Sequence, residues 1–207
     1  WMGRAIVSAE PWFRRLPIHP VLSGGAFAAF LVAGTWCSAA LVINACHDLR
    51  PPLATAVEIA MVYFCLSVRS LNDAATEIFT LLNRQHLPEA RASLALIVGR
   101  DVDRYQSPDI ARAVVETVAE NFVDGVLSPL LLAAVGGAPL AMAFKMASTL
   151  DSMVGYKTEG YRELGWAGAR LDDLMNWLPA RLSGILFTLA AALTGLDWRQ
   201  TWKICWR

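Results

Sequence analysis

The sequence predicts an all-α fold: a polytopic integral membrane helical bundle with one broken or re-entrant helix and amphipathic cytoplasmic helices. Three observations predict it. Hydrophobic residues make up 56% of the chain and charged residues only 17%, where a typical soluble domain has about 25% charged residues. Mean hydropathy is +0.41. Long uncharged runs alternate with compact polar blocks, and acids bordering apolar segments are costly enough to argue for function. The formal net charge is zero, so the chain has no bulk basic field, and nucleic acid is not an expected partner. Residues 1–207 are expected to form a single membrane-embedded catalytic domain. They read as a fragment of a longer protein, because the chain starts at Trp1 and not at an initiator Met. No repeat, low-complexity tract or domain linker is visible.

Pro20 to Cys46 contains no Asp, Glu, Lys or Arg, and a spanning helix needs about 17–25 apolar residues, so this run is a predicted span. Pro51 to Val68 is apolar apart from Glu58 and is closed by Arg69. It is a second predicted span, joined to the first by a short turn, His47 to Arg50. Arg4, Arg14 and Arg15 flank the first span, whereas the turn after it carries only Arg50. This asymmetry places the N-terminal flank in the cytoplasm and returns the chain there at Arg69.

Between Ser70 and Asp124 the pattern is helical and amphipathic. Leu71, Ala75, Ile78, Leu81 and Leu82 fall at helical spacing. Pro88 opens a further helix that Gly99 ends. Ser107-Pro108 reads as a helix start, with Ser107 as N-cap and Pro108 at the first position. Gly125 to Phe144 is uncharged, but Gly136-Gly-Ala-Pro139 at its centre should interrupt a helix. Each half is too short to cross alone. The run is either a kinked span or a re-entrant hairpin, and the hairpin is the preferred reading. It would return the polar blocks on either side to one face. Leu182 to Leu196 is uncharged and becomes long enough to span with Trp177 to Arg181 added, with Trp198 and Trp202 as an aromatic belt at its far end.

Three polar blocks carry candidate chemistry. Arg112, Glu116, Glu120 and Asp124 recur at every fourth residue and would form one polar stripe on a helix; Asn121 joins them. The acids repel one another unless a divalent cation or a cationic substrate sits among them, or unless the stripe is merely solvated. Asp172-Asp-Leu-Met-Asn176 sets Asp172 and Asn176 one turn apart beside Asp173, hard oxygen ligands suited to Mg²⁺ holding a phosphate. Capping and surface ion pairing would account for the same spacing. Arg170 and Arg181 could grip phosphate oxygens bidentately. Leu150 to Lys157 reads as a helix end broken at Gly155, offering Asp151, Ser152 and Lys157.

There is no P-loop, no GxGxxG and no GxSxG. His19, His47 and His86 lie far apart without ligand spacing. Cys37, Cys46, Cys65 and Cys205 form no CxxC pair and read as small buried hydrophobes.

These blocks resemble the CobD/CbiB-type adenosylcobinamide-phosphate synthases of cobalamin biosynthesis. The resemblance is carried by Ala113-Val-Val-Glu-Thr-Val-Ala-Glu-Asn-Phe-Val-Asp-Gly-Val-Leu-Ser-Pro-Leu130, by Thr149-Leu-Asp-Ser-Met-Val-Gly-Tyr-Lys157 and by Ala169-Arg-Leu-Asp-Asp-Leu-Met-Asn-Trp-Leu-Pro-Ala-Arg181. Gly136-Gly-Ala-Pro139 and Val98-Gly-Arg-Asp101 fit in order and spacing, and the likeness runs from Trp1 to about Gly195. The family's N-terminal GDP…HPV motif and its C-terminal SPNxG-like motif are not matched, and Ser148 stands where Asn is expected.

The resemblance implies an amide-forming ligase of the cell (inner) membrane, multi-pass, with its site facing the cytoplasm. It would join adenosylcobyric acid to (R)-1-amino-2-propanol O-phosphate, or to a related amino-alcohol phosphate, with ATP as cosubstrate and Mg²⁺ as cofactor. In that reading Glu116, Glu120, Asn121, Asp124, Asp151 and Lys157 are catalytic. Ser152, Arg170 and Arg181 bind substrate or phosphate, and Asp172, Asp173 and Asn176 hold the metal. Partners are the two substrates and the lipid bilayer, and a homo-oligomer is compatible with the resemblance. Two other classes share these features. A Mg²⁺-dependent membrane prenyl- or phosphotransferase would need a second Asp-rich motif, and none stands out. An ion-coupled transporter with a broken helix would usually show internal repeats, and none is found.

Overall fold

Proline and glycine set most element boundaries. The computed structural model describes residues 1–99, 101–155 and 161–206, and among them every regular element is helical. In chain order these are α1 (Met2–Arg14), α2 (Pro20–Leu49), α3 (Pro51–Cys65), α4 (Val68–Asn83), α5 (Leu87–Val98) and α6 (Ser107–Phe122). A π-helical turn (Val123–Leu127) follows, then α7 (Ser128–Val154), α8 (Trp166–Leu193) and α9 (Trp198–Cys205). Two compact units result: residues 1–65 with 127–207, and residues 66–126.

Three described helical stretches are long and apolar enough to cross a membrane: Pro20–Leu49, Pro51–Asn83 and Ser107–Val154. The first is α2, which starts with Pro20 at its first position behind His19, whose Nδ1 accepts the Val21 N–H at 3.3 Å. The expected turn at His47 to Arg50 is smaller than the sequence suggested. The helix continues through Leu49, and only Arg50 is extended (φ −158°, ψ 121°). Pro51 explains this, because a proline drives the preceding residue out of the helical region.

The larger unit buries Ser23, Phe27, Leu31, Thr35 and Ala39 of α2. These lie at every fourth residue, so they line one seam of the helix. Against that seam packs α7, through Ala141, Met142, Met146 and Leu150. Gly24 lets α2 come close at another point, since a Cβ there would run into the backbone carbonyl of Leu164.

The uncharged run Gly125–Phe144 folds back on itself. Inside α7 the helix breaks at Gly136 (φ −132°, ψ 18°) and Gly137 (φ 69°, ψ −172°). The Gly137 conformation is left-handed and strained for any side chain. Contacts with α8 show the direction of each half. A Cβ on Gly165 would meet the Val154 carbonyl, and one on Gly168 would lie 2.9 Å from Leu150 Cδ2, so the second half of α7 runs antiparallel to α8. Ser128, at the start of the first half, hydrogen-bonds Asn176. Gly168 and Asn176 lie only about 12 Å apart along α8, whereas an unbroken helix would separate Leu150 from Ser128 by about 33 Å. Only a chain that reverses at Gly136-Gly137 satisfies both contacts. The chain reversal is the one that the preferred sequence reading, a hairpin, calls for.

The expected crossing at Leu182–Leu196 takes another form. It is the last half of α8 and does not reach the length and hydropathy of a span; its uncharged stretch is only fifteen residues long, with Arg181 before it. Gly195 (φ 75°) then turns the chain. A Cβ on Gly184 would lie 3.3 Å from Cys205 Cβ, so α9 runs back along α8. Trp198 and Trp202 therefore lie beside α8 and not as a belt beyond its end. Two of the cysteines also depart from expectation: Cys37 and Cys205 are exposed, while Cys65 is buried with its Sγ 3.5 Å from Met142 Sδ.

The smaller unit is a three-helix cluster. Ile78 of α4, Ala90 and Leu94 of α5, and Ile110 and Ala113 of α6 form its core with Val102. Gly99 ends α5 in the left-handed conformation (φ 60°), as expected of glycine at that position. The N-cap of α6 is Gln106 and not Ser107. Its backbone N–H donates to Asp109 Oδ2 at 3.0 Å, and this reciprocal acid moves the boundary one residue earlier.

The close approach of α2 to Leu164 gives a direct test. Gly24→Ala should lower the melting temperature of the detergent-solubilised chain by about 4–10 °C, the cost of overpacking against backbone that cannot yield. Gly25→Ala, whose Cβ meets nothing within 4 Å, should shift it by no more than about 2 °C. Equal shifts for the two would contradict this packing.

Candidate functional site

The hairpin leaves a hydroxyl in an apolar place, and the sequence supplies its partner. Ser128 is fully buried. Its Oγ donates to Asn176 Oδ1 at 2.5 Å, and Asn176 Nδ2 donates to Asp172 Oδ2 at 3.0 Å. Asp172 and Asn176 are one turn apart on α8, so the second bond follows from helix geometry. The first spans the fold and ties the base of the hairpin to α8. Satisfied buried polar chains of this kind fix one arrangement of the elements that carry them.

Asp173, adjacent in sequence, occupies a different face. It is exposed and lies 3.6 Å from Arg170 Nη1. Asp151, in the last turn of α7 and partly buried, sits within electrostatic reach of Asp173. The α8 acids therefore part company. Asp172 and Asn176 serve the clamp to Ser128, while Asp173 stays exposed beside Arg170, within electrostatic reach of Asp151. The expected set of Asp172, Asp173 and Asn176 does not converge on one point. Among the described residues, no three His, Cys, Asp or Glu side chains gather closely enough to hold a metal by themselves. Mg²⁺, however, usually takes one or two carboxylates and completes its shell with water and phosphate oxygens.

The remaining expected residues are placed as follows. Ser152 is exposed, and its Oγ donates to the Ser148 carbonyl at 2.7 Å. Arg170 is exposed beside Asp173. Arg181 is turned onto its own helix: its guanidinium lies 3.9 Å from the Trp177 ring centroid, and Nη1 donates to the Trp177 carbonyl at 2.8 Å. Lys157 lies outside the described residues.

In the smaller unit, Glu116 and Glu120 stand exposed on α6 with Arg112. Asn121 is exposed as well, its Nδ2 donating to the Thr117 carbonyl at 2.9 Å. Asp124 leaves the expected stripe, because the helix widens at Val123–Leu127 into a π turn. Such a turn holds an extra residue and rotates everything after it. Gly125 makes room for it: a Cβ there would strike the Ser67 hydroxyl, and Ser67 N donates to the Gly125 carbonyl at 2.9 Å. The polar stripe therefore ends at Glu120, and Asp124 is partly buried.

One residue was missed by sequence reasoning. Ser128 was read only as part of a motif; its signal was a hydroxyl inside an uncharged run, facing a helix that carries Asn176.

A family model described as CobD/Cbib protein matches residues 1–207. The chain belongs to the CobD/CbiB family. Its curated relatives are similar over all of this chain but extend beyond it. "Cobalamin biosynthesis protein CobD" of Photorhabdus laumondii is 46% identical over 100% of this chain and 66% of its own length. "Cobalamin biosynthesis protein CbiB" of Salmonella typhimurium is 45% identical with the same coverage. CobD of Geobacter metallireducens is 46% identical over 100% of this chain and 65% of its own length. The chain thus spans just under two thirds of the length of the CobD/CbiB proteins it matches. No solved structure matches it significantly.

The clamp makes a measurable prediction. Ser128→Ala should destabilise by about 1–3 kcal/mol, because the oxygen of the partly buried Asn176 loses its donor. Asn176→Ala should cost a similar amount. The double variant should cost less than the sum, with a coupling of about 0.5–3 kcal/mol read from denaturation of the detergent-solubilised chain. Strict additivity would show that the two side chains do not act together.

Proposed function

We propose that this chain carries the membrane-embedded part of an adenosylcobinamide-phosphate synthase, acting in cobalamin biosynthesis. The reaction would join the free carboxylate of adenosylcobyric acid to the amine of (R)-1-amino-2-propanol O-phosphate, or of a related amino-alcohol phosphate, at the expense of ATP. Family membership supports the pathway. The observation that supports the chemistry is that Asp151 of α7 and the exposed Asp173 of α8 lie within electrostatic reach of each other, Asp173 being next in sequence to the Ser128–Asn176–Asp172 clamp.

Amide formation from a carboxylate needs a better leaving group than oxide. In the proposed sequence a carboxylate oxygen attacks the γ-phosphorus of ATP and ADP departs. The amine then attacks the acyl carbon, phosphate leaves, and the ammonium proton passes to a carboxylate base. Asp151 and Asp173 would hold Mg²⁺, which when bound supplies charge neutralisation to phosphate oxygens. Arg170, exposed beside Asp173, is poised to exchange that contact for a phosphate. The clamp fixes the helix that presents Asp173, so the acid pair is held before substrate arrives. Glu120 on α6 is proposed as a proton acceptor on the strength of the family resemblance alone. The proposed location is the inner membrane, with the site on the cytoplasmic side. This follows from the arginines at positions 4, 14 and 15 before α2, against Arg50 alone after it.

Genetic complementation tests the reading. The gene encoding this chain should restore growth on cobyric acid to a corrinoid auxotroph lacking the amide-forming step. Asp173→Asn and Glu120→Gln should each cut turnover by about 100-fold or more while membrane insertion is retained. No rescue despite verified expression, or near-normal activity in both variants, would count against the ligase.

A further inference from the structure

The smaller unit holds a cavity of about 240 Å³ where its three helices meet. Ser67, just before α4, and Ser70, in the first turn of α4, line it from one side. Ile97 in the last turn of α5 and Thr117 and Asn121 near the end of α6 line it from the others. Four of the seven lining residues carry a hydroxyl or an amide; the rest are apolar, and among the described residues none is charged. Thr117 is buried and Asn121 is exposed, so the wall runs from the interior of the cluster to its surface.

Polar walls call for a ligand or water that answers their hydrogen bonds, and the bonds already made say which kind. Ser67 Oγ donates to the Gly125 carbonyl at 3.3 Å, and Ser70 Oγ donates to the Ser67 carbonyl at 3.0 Å. A hydroxyl has one hydrogen and two lone pairs. With the hydrogen spent on backbone, each oxygen offers acceptance, which an anion cannot use. Asn121 Nδ2 donates to the Thr117 carbonyl at 2.9 Å. That bond takes one of two N–H groups and holds the amide in place; an amide has a second N–H and an acceptor oxygen besides. A primary carboxamide answers both features, since it sets N–H donors beside a carbonyl. An ammonium would also donate, but burying a charge against neutral walls is costly.

Size narrows the ligand further. The volume equals that of roughly eight waters, and it is smaller than the about 300 Å³ at which sites begin to enclose whole small molecules. It suits one side arm of a larger ligand whose body stays outside. Ala74 and Ile97 line the cavity as well and would cover the methylenes of such an arm.

We infer that this cavity binds a neutral carboxamide arm, with Asn121 pairing amide to amide and the Ser67 and Ser70 oxygens accepting its N–H groups. The site belongs to the smaller unit alone and is separate from the proposed ligation.

The test is saturation-transfer NMR of the detergent-solubilised chain with propionamide, with propionate and propylammonium as charged counterparts of similar size. Propionamide should bind with a millimolar dissociation constant. Each charged compound should bind at least about fivefold more weakly. Asn121→Leu should weaken propionamide binding about fivefold or more, and Ser70→Ala about two- to tenfold. Ala74→Leu, which fills the cavity, should abolish it. Ser93→Ala removes a hydroxyl of the same unit that bonds Glu77 and does not line the cavity, so it should leave the affinity within about twofold. Helical circular dichroism of each variant guards against misfolding. No binding of propionamide by the unaltered chain, equal binding of propionate, affinity unchanged in both Asn121→Leu and Ala74→Leu, or an equal loss in Ser93→Ala would each overturn the assignment. Cavity-dependent propionamide binding by a chain that fails complementation would instead sink the ligase reading and leave the carboxamide site standing.

Discussion

One constraint governs the larger unit: an uncharged segment too short in each half to cross a bilayer must turn inside it. Backbone that turns at membrane depth has to be covered by protein or open to water. The chain meets this with two glycines that accept the reversal and with one buried hydrogen bond, Ser128 to Asn176, that ties the returning helix pair to α8. Remove the reversal and Ser128 would stand about 33 Å from Leu150 along a straight helix. Asn176 could not then meet the one while Gly168 meets the other.

The clamp and the acid pair are consequences of that reversal. Because α8 is fixed against both ends of the hairpin, its Asp172 and Asp173 cannot rotate independently. One is taken up in the structural hydrogen bonds, and the other is left exposed, within electrostatic reach of Asp151. Two adjacent aspartates thus acquire different roles from one helical turn of geometry. The acid in the clamp specifies position, and the exposed acid remains available to solvent.

Much of the fold was legible in the sequence because it follows local rules. Uncharged runs gave α2 and the hairpin, and Gly136-Gly-Ala-Pro139 gave the break. Pro20, Pro88 and Gly99 marked boundaries within a residue. What was not legible depended on tertiary contact. The π turn at Val123–Leu127 exists where Gly125 admits Ser67, and nothing at four-residue spacing announces it. The return of α9 along α8 needs Gly184 and Gly195 together, whereas the sequence alone suggested a straight crossing ending in tryptophans. For the site, the motif blocks lie on α6, α7 and α8, but spacing does not give the partners of their side chains. Spacing proposed Asp172, Asp173 and Asn176 as one ligand set, and only the fold shows that Asn176 is engaged by Ser128.

The central claim is the reversal itself, and a distance measures it. Spin labels at exposed Leu130 and Ser152, one on each leg, can be read by pulsed electron resonance in lipid nanodiscs. A folded-back segment should give a main distance under about 25 Å, whereas a continuous helix over the same residues would give about 33 Å or more. The longer distance as the dominant population would contradict the hairpin, and with it the tie between Ser128 and Asn176.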